Sequence, residues 1–71
     1  VVLALRILEY MAPQREAVGV TALAQALGTT KSRIYRHLRT LVQQGYIVQS
    51  AETERYRVGA RLVTLGRAVG E

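Results

Sequence analysis

Gly28 is the residue that most restricts what this chain can become. Before it, Leu23, Ala24 and Leu27 fall on one helical face. After it, Ile34, Leu38, Leu41 and Val42 recur at i, i+4, i+7 and i+8, a second apolar stripe of helical period. Two short amphipathic helices this close in sequence need a sharp reversal, and glycine supplies it because it lacks a Cβ to clash at positive φ. Ala24 is small where the second helix crosses, and Ile34 is placed to plug the angle between the helices with Leu23, Leu27 and Leu38. A plain helical hairpin shares some of these features. The complete set in one register points to a helix-turn-helix.

The boundaries follow from capping chemistry. Thr21 reads as the N-cap of a helix running from about Ala22 to Leu27. Thr29 or Thr30 caps the next helix, expected at about residues 30–44 and ended by Gly45. Upstream, Val1 to Ala12 reads as a helix that Pro13 terminates. Its polar strip is narrow, only Arg6 and Glu9, three residues apart and able to pair. Val1, Leu5, Leu8 and Ala12 form one apolar face; Leu3, Ile7 and Tyr10 form another. So small a domain has little mass to cover both, so Leu3, Ile7 and Tyr10 are expected to meet a second chain or domain, against the simpler reading of a helix wrapped by its own core.

Downstream the period changes. Val18-Gly19-Val20 reads as a very short strand, Tyr46 to Gln49 as a second, and Arg55 to Val58, alternating polar and apolar, as a third. Ala51 to Glu54 is the turn of a hairpin, and a helical pattern returns at Ala60 with Leu62, Leu65 and Val69 on one side. The expected fold is α+β, a winged helix-turn-helix: a three-helix core with a β-hairpin wing over residues 1–59, then the start of a linker helix over 60–71.

Charge identifies the working surface. Ten Lys and Arg against five Asp and Glu give 10 − 5 = +5, which makes a polyanion a candidate partner. No acidic residue occurs from Ala17 through Ala51, and within that stretch Lys31, Arg33, Arg36 and Arg39 all fall on the helix after Gly28. Ser32, Arg36, Arg39 and Gln43 lie opposite Ile34 and Leu38; Arg33 and Thr40 flank one edge and Tyr35 the other. Four cations without an anion repel one another unless a partner supplies the balance. A helix of this kind enters the major groove, its N-terminal half at the base edges and its dipole favouring phosphate there. Arg forks onto guanine, and Ser and Thr reach bases or phosphates. Ser32, Arg33, Tyr35, Arg36 and Arg39 are therefore the expected groove residues, with Thr21, Thr29, Thr30 and Lys31 positioning helices on the backbone. Arg55 and Arg57, two apart on one face of the hairpin, suit a wing that grips phosphate or the minor groove. Glu52 and Glu54 at its tip oppose that, and a hairpin that only completes the core weighs equally.

Other classes fit less well. The chain has 71 residues, no Cys and one His, so no disulfide, metal centre or organic cofactor is expected. His37 borders the apolar face, where a histidine is ordinarily packed or hydrogen-bonded. No nucleophile–base pair is recognisable, so an enzyme is not expected. A winged-helix protein-interaction module would expose an apolar patch where this helix is cationic. An RNA-binding module would interleave exposed aromatics for stacking, and only Tyr35 is available. No stretch can span a membrane; the longest uncharged run, Ala17 to Thr30, has 14 residues, against the roughly 20 needed.

From Gly19 to Gly59 the chain resembles the winged helix-turn-helix domain of IclR-type transcription regulators. The resemblance rests on Thr21-Ala22-Leu23-Ala24-Gln25-Ala26-Leu27-Gly28 and on Lys31-Ser32-Arg33-Ile34-Tyr35-Arg36-His37-Leu38-Arg39-Thr40-Leu41. It is strengthened by Gly45-Tyr46-Ile47, by Arg55-Tyr56-Arg57-Val58-Gly59 and by Arg61-Leu62 before Leu65-Gly66. It implies a cytoplasmic repressor or activator that binds a double-stranded operator, pairs as a homodimer and senses a small-molecule effector through a domain outside this segment. The wing turn, Ala51-Glu52-Thr53-Glu54, departs from the family in lacking glycine.

Overall fold

The computed structural model describes residues 2–70. Four helices and one hairpin follow in the order α1 (Val2–Met11), α2 (Val20–Leu27), α3 (Lys31–Gln43), β1 (Ile47–Gln49), β2 (Tyr56–Val58) and α4 (Ala60–Gly70). Helices α1 to α3 and the hairpin enclose one core. Ile7, Met11, Leu23, Ile34, Leu38 and Ile47 are its large, fully buried side chains. Burying each stabilises the fold by about 1.5–3 kcal/mol relative to exposing it. This is the winged helix-turn-helix that the apolar spacing predicts.

The turn works as Gly28 requires. Gly28 adopts φ 64° and ψ 40°, and the amide of Thr29 donates to the carbonyl of Ala24 at 3.1 Å, closing α2. Gly45 closes α3 in the same left-handed region, φ 81°. Two capping expectations shift. The N-cap of α2 is Gly19, without a side-chain cap, and Thr21 lies one residue inside the helix. Of the two threonines before α3, Thr30 is the cap, its Oγ1 accepting from the amide of Arg33 at 3.3 Å.

On α1 the expectation that Leu3, Ile7 and Tyr10 face a partner is not met, while Leu8 of the other face also packs against the core. Ile7 is fully buried, and Leu3 and Tyr10 are half-buried and packed against the core. The domain therefore covers the face that was expected to meet a partner. Val2 and Leu5 point outward instead, 72% and 56% exposed. Arg6 and Glu9 lie on that outward side too, and Arg6 sends a guanidinium nitrogen to the carbonyl of Leu27, 3.4 Å away.

The hairpin pairs Ile47 with Val58, Val48 with Arg57 and Gln49 with Tyr56. The expected short strand at residues 18–20 reduces to one bridge. Val18 exchanges both backbone hydrogen bonds with Tyr56, at 2.6 and 2.8 Å, while Val20 already belongs to α2. The glycine missing from the wing turn has a structural counterpart: Glu54 itself takes φ 60°, a conformation that costs an L-residue roughly 1–2 kcal/mol.

Helix α4 buries none of its residues and is tied down at its start. Gly59 donates to the Tyr46 carbonyl at 2.7 Å. A Cβ on Gly59 would sit 2.7 Å from the Gly45 carbonyl oxygen. Arg61 donates to the Gln44 carbonyl at 2.9 Å and lies over the Tyr46 ring, 5.2 Å from its centroid.

Candidate nucleic-acid interface

Helix α3 separates its faces except at Val42, which the apolar stripe places inward and which is exposed. Ile34, Leu38 and Leu41 are buried; Lys31, Ser32, Arg33, Tyr35, Arg36, Arg39, Thr40 and Gln43 are exposed. No acidic residue occupies its first turn. The cationic surface that the spacing predicts is thus solvent-facing and anchored from behind by the core. The guanidinium hydrogen bonds found among the described residues, from Arg6 and Arg61, run to backbone carbonyls and lie outside α3.

Two grooves flank this helix. Ser32, Arg36, Arg39, Thr40 and Gln43 line one of them, closed on the hairpin side by Gln49 and Tyr56. In the other, Thr21 and Gln25 of α2 and Lys31 and Tyr35 of α3 converge with Arg55 beyond the wing tip. Tyr35 lines both grooves and stands on the ridge between them. The start of α2 opens into the second groove. Gly19 offers no side-chain acceptor there, so the first amides of α2 lack a side-chain cap.

Thr29 does not fit its expected role of positioning the backbone. Its Oγ1 is buried and has no hydrogen-bond partner, because Gly28 turns the chain so that Thr30 takes the capping position. Thr30 and Thr21 remain exposed. Arg55 and Arg57, expected to work as a pair, line different surfaces. Arg55 joins Lys31 and Tyr35, while Arg57 lies with Arg15 in a separate depression. Both arginines are exposed.

His37 sits half-buried at the edge of the apolar face. Burial holds its pKa below the ordinary value, and the charges of Arg33 and Arg36 push the same way. Burial likewise raises the pKa of the Tyr56 phenol, with Tyr35 and Glu54 adding to it. The described residues contain no cluster of three His, Cys, Asp or Glu that could hold a metal, and no helix long and apolar enough to cross a membrane.

Three site features escape a reading of α3 alone. Gln49 donates through Nε2 to the Glu54 carbonyl at 3.1 Å, bracing the wing turn beside the groove it lines. Tyr56 is buried yet also lines that groove. Arg15, in the loop after α1, reaches the hairpin surface. The alternation of the hairpin could have placed Gln49 and Tyr56 on one side; no local signal places Arg15.

An exposed cationic helix backed by a helical core and flanked by a hairpin defines a winged helix-turn-helix of the nucleic-acid-binding type. The IclR helix-turn-helix domain matches residues 1–51, and the chain belongs to that family. It is 38% identical over 60 residues to the HTH-type transcriptional regulator KdgR of Dickeya chrysanthemi, covering 84% of this chain and 19% of that protein. It is 36% identical over 62 residues to the transcriptional repressor IclR of Escherichia coli strain K12, covering 87% of this chain and 23% of that protein. Among solved structures, Pseudomonas aeruginosa HmgR superposes with a TM-score of 0.86 at 30% identity, over 93% of this chain and 27% of that one. An IclR transcriptional regulator from Alicyclobacillus acidocaldarius also superposes with a TM-score of 0.86, at 29% identity over 96% of this chain and 28% of that one. The chain thus spans about a fifth to a quarter of the curated relatives it matches.

Proposed function

We propose that this chain is the DNA-binding part of a transcriptional regulator and that α3 reads duplex DNA from the major groove. The observation that carries this reading is the face of α3. Lys31, Arg33, Arg36 and Arg39 are exposed, with Ser32 among them, on a helix held from behind by Ile34, Leu38 and Leu41. Arg36 lies centrally on that face and is the main base-reading candidate, with Ser32, Arg33, Tyr35 and Arg39 beside it. Thr21, Lys31 and Arg55 line the groove where α2, α3 and the wing converge, Thr30 caps α3 beside Lys31, and together they position the domain on phosphates. The regulator works in the cytoplasm as a homodimer on a two-fold operator, with a small-molecule effector held by a further domain. The outward residues of α1, Val2 and Leu5, and the unburied apolar residues of α4, Val63, Leu65 and Val69, are the surfaces available for pairing.

The test is Arg36→Ala in the intact regulator, titrated onto operator and scrambled duplexes. A bidentate base contact predicts a loss of about 1–3 kcal/mol on the operator and relaxed preference at one base pair. A phosphate contact predicts an equal loss on both duplexes and a salt slope smaller by about one unit. A folded variant that binds both duplexes like the wild type overturns α3 as the reading element.

A further inference from the structure

The end of α3 and the start of α4 meet at Tyr46, whose amide, carbonyl and ring are all engaged. The Tyr46 amide donates to the Leu41 carbonyl and the Gly45 amide to the Val42 carbonyl, each at 3.0 Å. With Gly45 at φ 81°, these two bonds close α3 on a left-handed glycine. The Tyr46 carbonyl accepts from the Gly59 amide at 2.7 Å, and the Gly59 carbonyl accepts in turn from the amides of Leu62 and Val63 in the first turn of α4. Over the Tyr46 ring lies the Arg61 guanidinium, 5.2 Å from the centroid. Arg61 also donates through Nη1 to the Gln44 carbonyl at 2.9 Å. Carbonyls at the C-terminal end of a helix lack partners within it, and a cation there is favoured by the negative end of the helix dipole.

The last turn of α3 needs such support. Ile34, Leu38 and Leu41 hold the rest of the helix against the core, but Val42, Gln43 and Gln44 are exposed. That turn also carries part of the reading groove, since Arg39, Thr40 and Gln43 line it. Arg61 lines neither groove that flanks α3, and it stands at the C-terminal end of a helix whose N-terminal half meets base edges. It is placed to hold the helix, not to read. Resting on the DNA reading proposed above, we infer that Arg61 is a positioning residue for sequence recognition: bonded to Gln44 and covering Tyr46, it fixes the last turn of α3 and so the aim of Arg39 and Gln43 in the groove. Hydrogen bonds to bases weaken steeply when misaligned, so losing this support lowers affinity for the correct sequence. Non-specific binding needs only phosphate contacts and does not depend on it.

The experiment compares Arg61→Gln, Arg61→Lys, Arg67→Gln and Arg36→Ala in the intact regulator, with folding followed by circular dichroism and melting temperature. Binding is measured across a salt series on a duplex that the wild type selects from a random pool and on a scrambled duplex of the same length. Arg61→Gln should weaken binding to the selected duplex about three- to ten-fold, the size of one hydrogen bond. Its binding to the scrambled duplex and both salt slopes should match the wild type. Arg61→Lys keeps one charged donor and should restore most of the loss. Arg67→Gln removes the same charge further along α4 and should bind like the wild type. An equal loss on both duplexes, with a salt slope smaller by about one unit, would make Arg61 a phosphate contact and overturn the inference. So would a lower melting temperature with wild-type discrimination in the folded protein, which is a structural role alone. If Arg61→Gln discriminates like the wild type while Arg36→Ala does not, the positioning role is wrong and the reading by α3 stands. If a folded Arg36→Ala protein also discriminates like the wild type, the DNA reading fails with it.

Discussion

Helix α3 and the wing are both assigned to one ligand, and they are built by opposite means. Helix α3 is thirteen residues long, with three buried side chains on one face and cations on the other. Its position is fixed by its own apolar stripe. The wing has two strands of three residues each and a turn in which Glu54 is forced to φ 60°. It is held from outside: by Val18 on one edge, by Ile47 and Tyr56 sunk in the core, and by the Gln49 side chain on the turn carbonyl. A long helix separates packing from function around its circumference. A short hairpin must borrow its position from neighbours, so a change in a distant loop reaches it more directly.

The most severe way to break this contrast is to cut into the packed side of α3. Leu38 is fully buried, and Leu38→Ala should cost about 2–5 kcal/mol, read as a fall in the urea midpoint of unfolding. Equivalent truncation at exposed Val48 of the wing should leave the midpoint nearly unchanged. If the two variants shift it equally, the packing asymmetry drawn between helix and wing does not hold.

A smaller effect, of opposite sign, sharpens the wing side. Glu54→Gly relieves a positive φ that costs an L-residue roughly 1–2 kcal/mol, while glycine gives back about 0.5–1 kcal/mol through the freer unfolded chain. The net expectation is a gain of at most about 1.5 kcal/mol in stability, seen as a modest rise in melting temperature. Removing the carboxylate beside Arg55 should also raise duplex affinity at low salt. A variant with lower stability would show that the turn does not need the left-handed conformation.

How much of this was legible in the sequence follows the same division. Ile34, Leu38 and Gly28, with Leu23, Ala24 and Leu27, form a set in one register that fits a helix crossing a helix, so α2, α3 and the cationic face could be read directly. For α1 the periodicity gives two apolar faces, and the expectation that Leu3, Ile7 and Tyr10 form the outward one is not met. Which face is covered rests on where α2 and α3 pack, and Ile7 proved to be inside. Gly19 displaced Thr21 as a cap because an extended residue can start a helix without a side-chain hydrogen bond, and Thr29 turned inward for want of the cap role that Thr30 fills. Arg15 could not be placed at all, because its neighbourhood depends on a bridge between residues far apart in the chain.

The smallest expected effect belongs to His37. Its folded-state pKa is depressed, chiefly by burial, so the unfolded chain binds the proton more readily. Stability should therefore be full above the unfolded value, about 6.5, and should be lost progressively as pH falls below it toward the depressed value. Melting temperatures between about pH 7 and pH 5 should fall slightly more for the wild type than for His37→Gln. Identical slopes for the two proteins would remove His37 from the pH response.

The joint at Gly59 has a mechanical consequence. The carbonyl oxygen of Gly45 lies too close to Gly59 to admit a Cβ there, and Arg61 clasps the end of α3. Helix α4 therefore leaves the domain as a cantilever, clamped over its first turn and free along the rest. Eleven residues at a rise of about 1.5 Å each make an arm of about 16 Å, so a tilt of about 10° at the clamp sweeps its far end through about 3 Å. Force applied at that end would return to the clamp as torque on the Gly45–Tyr46 turn, and from there to the C-terminus of α3. Alanine at Gly59 would strain that pivot, and its signature would be a recognition helix still folded but aimed differently.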